Sequence, residues 1–182
     1  MVRRVSSSIF VGRVAERAQL ESALDAATRA EPGLILIGGE AGIGKTRLTR
    51  HAVSAAVERS AVVARGHCVE TTAVTLPFAP FVEILRELLR GNPRIRGALD
   101  DGTVTELARL VPDVARREPT APGDDEENRM PLFHAVLETM RQAAREQTLV
   151  IVLEDLHWAD GSSLDLLRFV VGSLATERIL AV

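Results

Sequence analysis

The sequence predicts an α/β fold built on a parallel sheet with flanking helices, and three observations predict it. First, Leu34-Ile35-Leu36-Ile37 and Leu149 to Leu153 are short unbroken apolar runs, the pattern of strands buried on both faces. Second, a glycine-rich loop follows the first run at once, then a helical spacing, then a further short run. Strand, loop, helix and strand in that order form a right-handed crossover unit. Third, 182 residues with 46% apolar and 26% charged content suffice for a single domain over residues 1–182 and exclude a disordered or fibrous chain.

Each element has its own signal. Val14 to Ala30 carries Leu20, Ala23, Leu24 and Ala27 at helical spacing, and Glu31-Pro32-Gly33 supplies a stop and a turn. Leu48, Ala52, Ala55 and Ala56 favour a helix from Thr46 to about Arg59, and Ala61 to Ala64 reads as a second strand. Residues 67–147 form a predicted helical insertion, with pieces at Phe81 to Arg90, Val104 to Leu110 and Leu132 to Glu146. Glu118 to Asn128, acidic and holding Pro119, Pro122 and Gly123, reads as a flexible connection. After the Leu149 to Leu153 strand comes a helix over Leu164 to Leu174 with Leu164, Leu167, Val171 and Leu174 inward. Ile179 to Val182 begins another strand.

Composition narrows the function classes. A net charge of −3, with arginines interleaved among acids, argues against a nucleic-acid surface within this chain. The single cysteine, Cys68, excludes an internal disulfide, and its neighbour His67 lacks the paired spacing of a zinc site, so both read as an ordinary strand end. The apolar runs are too short for a signal sequence or a membrane span, and a reducing cytoplasm is the expected location.

Lys45 is the one lysine among 22 basic residues, and it stands inside Gly39-Glu40-Ala41-Gly42-Ile43-Gly44-Lys45-Thr46. A compact ammonium on a flexible stem reaches between phosphates where a planar guanidinium fits poorly. This stretch fills every fixed position of the phosphate-loop (Walker A) pattern, with a strand before and a helix after. Its glycines let backbone amides turn inward, the helix beginning near Lys45, Thr46 and Arg47 adds its positive end, and the Thr46 hydroxyl can ligate magnesium. The fold class is therefore that of a P-loop NTPase, and the expected cofactors are ATP and Mg2+.

The Leu149 to Leu153 run ends in Glu154-Asp155, two carboxylates at the carboxyl end of a buried parallel strand, where ligands gather in open α/β sheets. This is the Walker B position: Glu154 is expected to hold magnesium through water, and Asp155 to orient an attacking water. Of the residues that follow, Asp160 reads as a helix cap and Trp158 as a packing anchor. His157 is a weaker candidate for sensing the γ-phosphate.

Phe10-Val11-Gly12-Arg13, the loop from Gly39 to Thr46, Leu76 to Phe81, and above all Leu153-Glu154-Asp155-Leu156-His157-Trp158-Ala159-Asp160 resemble the signal-transduction (STAND) ATPases of the AAA-like superfamily. Among them the chain is most similar to the large LuxR-type, MalT-like bacterial transcriptional regulators and to ATPase modules attached to cyclases and kinases. The resemblance implies that Val11, Gly12 and Arg13 lie near adenine and ribose. It also implies a further strand, a sensor residue, a winged-helix region and a DNA-binding helix-turn-helix beyond Val182. The expectation is thus a C-terminally truncated domain whose open sheet edge favours self-association or docking to a missing C-terminal region. Three positions depart from the family pattern: Val14 where an acid often follows Gly-Arg, Glu154 where aspartate is common, and Asp155 where motor-type relatives carry glutamate.

The function these readings support is an ATP-binding switch with slow or no hydrolysis, part of a transcriptional regulator. An active ATPase or phosphotransferase using the same loop is the first alternative. An interaction fragment without useful nucleotide binding is the second.

Overall fold

The computed structural model describes residues 12–70, 77–114 and 129–182. Val11 and the acidic stretch 118–128 lie outside the described residues. Along the chain run α1 (Val14–Thr28), β1 (Gly33–Leu34), α2 (Lys45–Glu58) and β2 (Val62–His67), then α3 (Ala79–Gly91), α4 (Pro93–Ala98), α5 (Asp101–Ala108) and α6 (Met130–Ala143). β3 (Leu149–Glu154), α7 (Gly161–Gly172) and β4 (Ile179–Ala181) close the order. The four strands form one all-parallel sheet in the order β1-β4-β3-β2.

Alternation along the central strands sends side chains to both faces, and each face has its own core. Leu149, Ile151 and Leu153 of β3, with Ala64 of β2 and Ile179 of β4, join the helical layer of α3 to α7. Val150 and Val152, with Leu180 and Val182, join Leu20 and Leu24 of α1 and Leu48, Ala52 and Ala56 of α2. The near-continuous apolar reading of β3 is therefore correct in its cause, since the strand is covered on both faces.

The first apolar run is different. Ile35 and Ile37 pack against the α1–α2 core, while Leu34 and Leu36 are exposed. The helical layer covers β2, β3 and β4 and contributes nothing over β1, so the expectation of burial on both faces fails there. β1 is also the shortest strand, held by its register with Leu180 and Ala181 and by the Ile35 amide donating to Ala181 O at 2.8 Å.

Other departures have local causes. β2 runs on to His67 because Arg65, Gly66 and His67 pair with Val152, Leu153 and Glu154, a register that their polarity hid. α4 was not foreseen, although Asn92 accepts from the Arg94 amide at 3.0 Å and Pro93 sits in the first turn, an ordinary helix start. In α7 the fully buried positions are Ser163, Leu166 and Val170, while of the expected inward residues Leu167 and Leu174 pack part-buried against the same core and Leu164 and Val171 do not join it. The Asp160 carboxylate accepts from the Ser163 amide at 2.9 Å and starts the helix, as its predicted capping role requires.

Candidate functional site

The loop between β1 and α2 is shaped by glycines with positive φ: Gly39 at 146°, Gly42 at 80° and Gly44 at 100°. Residues with a Cβ rarely adopt these angles, and a Cβ at Gly39 would also stand 3.0 Å from Ile43 Cγ2. Gly44 caps α2, and its carbonyl accepts from the Arg47 and Leu48 amides, both at 3.1 Å. Buried Leu48 anchors the first turn, which leaves Thr46 and Arg47 at the exposed helix start. The Lys45 ammonium lies across the loop, donating to Gly39 O at 2.8 Å and Glu40 O at 3.1 Å.

Arg13 comes to the same loop from the other side. Gly12 and Arg13 both have positive φ, 89° and 54°, which bends the chain into α1. The Arg13 guanidinium donates to Ile43 O at 2.7 Å and pairs with Glu16 at 3.7 Å. Beside it a cavity of about 690 Å³, within the usual size range of ligand pockets, runs between α1 and the residues that follow β1 and is lined by Arg13, Glu16, Leu20, Ile35, Ile37 and Leu48.

The second half of the site is the end of β3. β4 separates β3 from β1, so Glu154 stands two strands from the glycine loop, roughly 10 Å across the sheet at the usual strand spacing, and at the same carboxyl end. Asp155 follows with φ of 58°, an uncommon angle outside glycine, and its side chain is exposed. The turn that begins there, Leu156–Trp158, sets the His157 ring beside Trp158 in a tilted contact with centroids 4.8 Å apart. Trp158 is 43% exposed and so does not anchor packing as its size suggested.

His67 and Glu83 are the residues that sequence reasoning missed. His67 Nδ1 lies 2.8 Å from Glu83 Oε2 on α3, and Nε2 lies 3.3 Å from Glu154 Oε2. The hydrogen bond with Glu83 raises the His67 pKa above 6.5; burial pulls it down, and the Glu83 and Glu154 charges raise it further. The strand-end logic that singled out Glu154 applies equally to His67, its register partner, once β2 is known to extend that far. Burial, followed by the charges of Asp160, Asp155 and Glu83, pushes the Cys68 thiol up, so it is no ready nucleophile.

A parallel sheet with a glycine loop leading into a helix and two successive acids at the end of another strand defines a phosphate-loop α/β protein. Residues 9–182 match the family model of the AAA ATPase domain, and the chain belongs to that family. It is accordingly a nucleotide-binding ATPase module with the P-loop NTPase fold. No curated protein and no solved structure gave a significant match. Among the described residues no helix is long and apolar enough to cross a membrane, and no cluster of three or more His, Cys, Asp or Glu side chains could hold a metal ion.

Proposed function

We propose that this chain is a nucleotide-dependent switch module of a signal-transduction ATPase. ATP binds at Gly39 to Thr46 and its γ-phosphate biases the arrangement of the surrounding helical parts. The observation that carries this reading is the position of Lys45, whose ammonium spans the glycine loop at the start of α2. In this reading the amides from Gly39 through Glu40, Ala41, Gly42, Ile43 and Gly44 to Arg47 cradle the phosphates, and Lys45 neutralises them. Gly12 and Arg13, with Val11, hold the base and ribose side, a role supported by the Arg13 bond to Ile43 O and the adjoining cavity.

The Thr46 hydroxyl and the Glu154 carboxylate are hard oxygen donors of the kind magnesium takes, so the donor set fits that ion, Glu154 acting through water. Bound there, magnesium neutralises charge on the phosphate oxygens. Asp155 is proposed to orient the attacking water, and its shorter side chain and left-handed backbone support slow hydrolysis. The LuxR-type regulator context rests on the Leu153 to Asp160 stretch, and in it the output partner binds outside this chain.

Calorimetry tests the core of the reading. ATP binds the wild-type chain, and Lys45→Ala weakens it by at least about tenfold; identical isotherms remove the proposal. Phosphate release well below the roughly 1 to 100 per second typical of kinases separates a switch from an efficient enzyme.

A further inference from the structure

We infer that His51 is a protonation switch at the seam between α1 and α2: neutral, it holds the first turn of α1, and protonated, it lets that turn go and weakens nucleotide binding. The inference rests on the proposed nucleotide reading and adds a regulatory input to the same site. His51 lies on α2, the helix that begins at Lys45, and its Nε2 faces two side chains of α1 at once. Arg17 Nε donates to that nitrogen at 3.3 Å, and Glu21 Oε1 lies 2.9 Å from it. The two demands are opposite. Arg17 needs a lone pair on Nε2, and Glu21 needs a proton there. With the ring neutral and its proton on Nδ1, Nε2 accepts from Arg17. With the ring protonated, Nε2 donates a charge-assisted bond to Glu21, and Arg17 meets a cation instead of an acceptor.

The site of the exchange gives it a route to the nucleotide. The Arg17 amide donates to Arg13 O at 3.0 Å, and the Arg13 guanidinium reaches on to Ile43 O in the glycine loop at 2.7 Å. Holding Arg17 therefore steadies the turn that carries Arg13 onto the loop, and releasing Arg17 loosens it. The rest of α1 stays in place in both states, because Leu20, Leu24 and Ala27 are buried and Asp25 pairs with Arg59 at 2.8 Å. The charged groups facing the ring from α1 are Arg17 and Glu21, and α2 itself adds Arg47 and Arg50 within about one turn. The strands beneath α2 meet it with apolar Val63, Val150 and Val152. The His51 side chain is 21% exposed, so solvent protons reach it. The sign follows: nucleotide binding favours the neutral ring, so affinity falls as pH falls, and by reciprocity bound nucleotide opposes protonation of His51.

Two substitutions fix the two states. His51→Gln carries an oxygen for Arg17 and an N–H for Glu21 and gains no charge in acid. His51→Lys is a donor at every pH, so it keeps Glu21 and opposes Arg17. In the ligand-free full chain, nitrogen-15 spectra of the His51 ring should show Nε2 without a proton at about pH 8 and with one at about pH 5.5. Calorimetry with ATP and magnesium at the same two pH values supplies the second readout. Between them wild type should lose at least about fivefold more affinity than His51→Gln, the difference removing the titration of ATP and of the other histidines. At about pH 8, His51→Lys should bind at least about fivefold more weakly than wild type.

Nε2 carrying a proton at both pH values overturns the exchange of partners, whatever happens with nucleotide. An exchange that is seen, with equal pH dependence of affinity in wild type and His51→Gln, overturns the link to the nucleotide site. His51→Lys binding as tightly as wild type at the higher pH overturns it too; should that variant fail to fold, the comparison of wild type with His51→Gln decides alone. Failure of the nucleotide reading is distinguishable, because it shows as no ATP binding at either pH and takes the link with it, while the nitrogen resonances still report on the exchange.

Discussion

Gly66 is small for a reason that only the folded chain reveals. It stands one pair from the end of the β2–β3 ladder, opposite Leu153, and the first turn of α3 passes so close that the Pro80 carbonyl oxygen would be 2.2 Å from an added Cβ. The obstacle is backbone and cannot rotate aside, so Gly66→Ala must separate α3 from the sheet. Overpacking of this kind costs about 1–3 kcal/mol, and a backbone clash belongs at the upper end. Urea unfolding should show a lower midpoint at unchanged slope; an unchanged midpoint would mean the helix yields without loss. Lys45 is the opposite kind of residue, legible without any structure, because its chemistry and its eight-residue frame are both local. The link from His67 to Glu83 spans 16 residues and depends on how α3 lies along β2, so no spacing in the chain announced it.

At the scale of elements, α1 and α2 end in the same way. Glu31 N donates to Ala26 O and Ala30 N to Ala27 O, both at 3.0 Å; Ala61 N donates to Ala56 O at 3.0 Å and Ser60 N to Val57 O at 2.9 Å. Both are Schellman endings, and both put a residue with a Cβ in the left-handed position, Ala30 at φ 62° and Ser60 at 58°. That strain costs roughly 1–2 kcal/mol per residue, while a glycine adds about 0.4–1 kcal/mol of freedom to the unfolded chain, leaving a net gain near 0.5 kcal/mol for each replacement. The ends belong to different helices, so Ala30→Gly with Ser60→Gly should add and raise Tm by about 2–4 °C in calorimetry. An unchanged or lower Tm would refute the strain.

The element boundaries show where sequence reasoning stops. The ends of α1 and α2 fell within two residues of expectation because the stop signals act locally. The inward face of α7 was legible only in part, because Leu164, Leu166 and Leu167 are equally apolar and only the placement of α7 against the core buries Leu166 fully, Leu167 partly and leaves Leu164 out. The same holds for the first apolar run, whose composition cannot tell whether a second layer of helices reaches it.

At the scale of the molecule, the two edges of the sheet are treated differently. The outward amides of β2 are covered: Arg65 N donates to Glu87 at 2.8 Å and His67 N to Glu83 at 2.9 Å, so the acids of α3 close that edge. Among the described residues β1 has a strand partner on one side only, and beside it Leu34 and Leu36 stand 40% and 69% exposed. An open edge with exposed leucines is a template for pairing with another chain. Leu36→Glu should therefore weaken self-association in sedimentation velocity by at least about tenfold, since burying a leucine contributes roughly 1.5–3 kcal/mol. Folding stability should change by no more than about 0.5 kcal/mol, because the side chain is already largely in water. If the wild-type chain sediments as a monomer at all concentrations, or if Leu36→Glu associates as strongly as wild type, the β1 edge is not where copies meet.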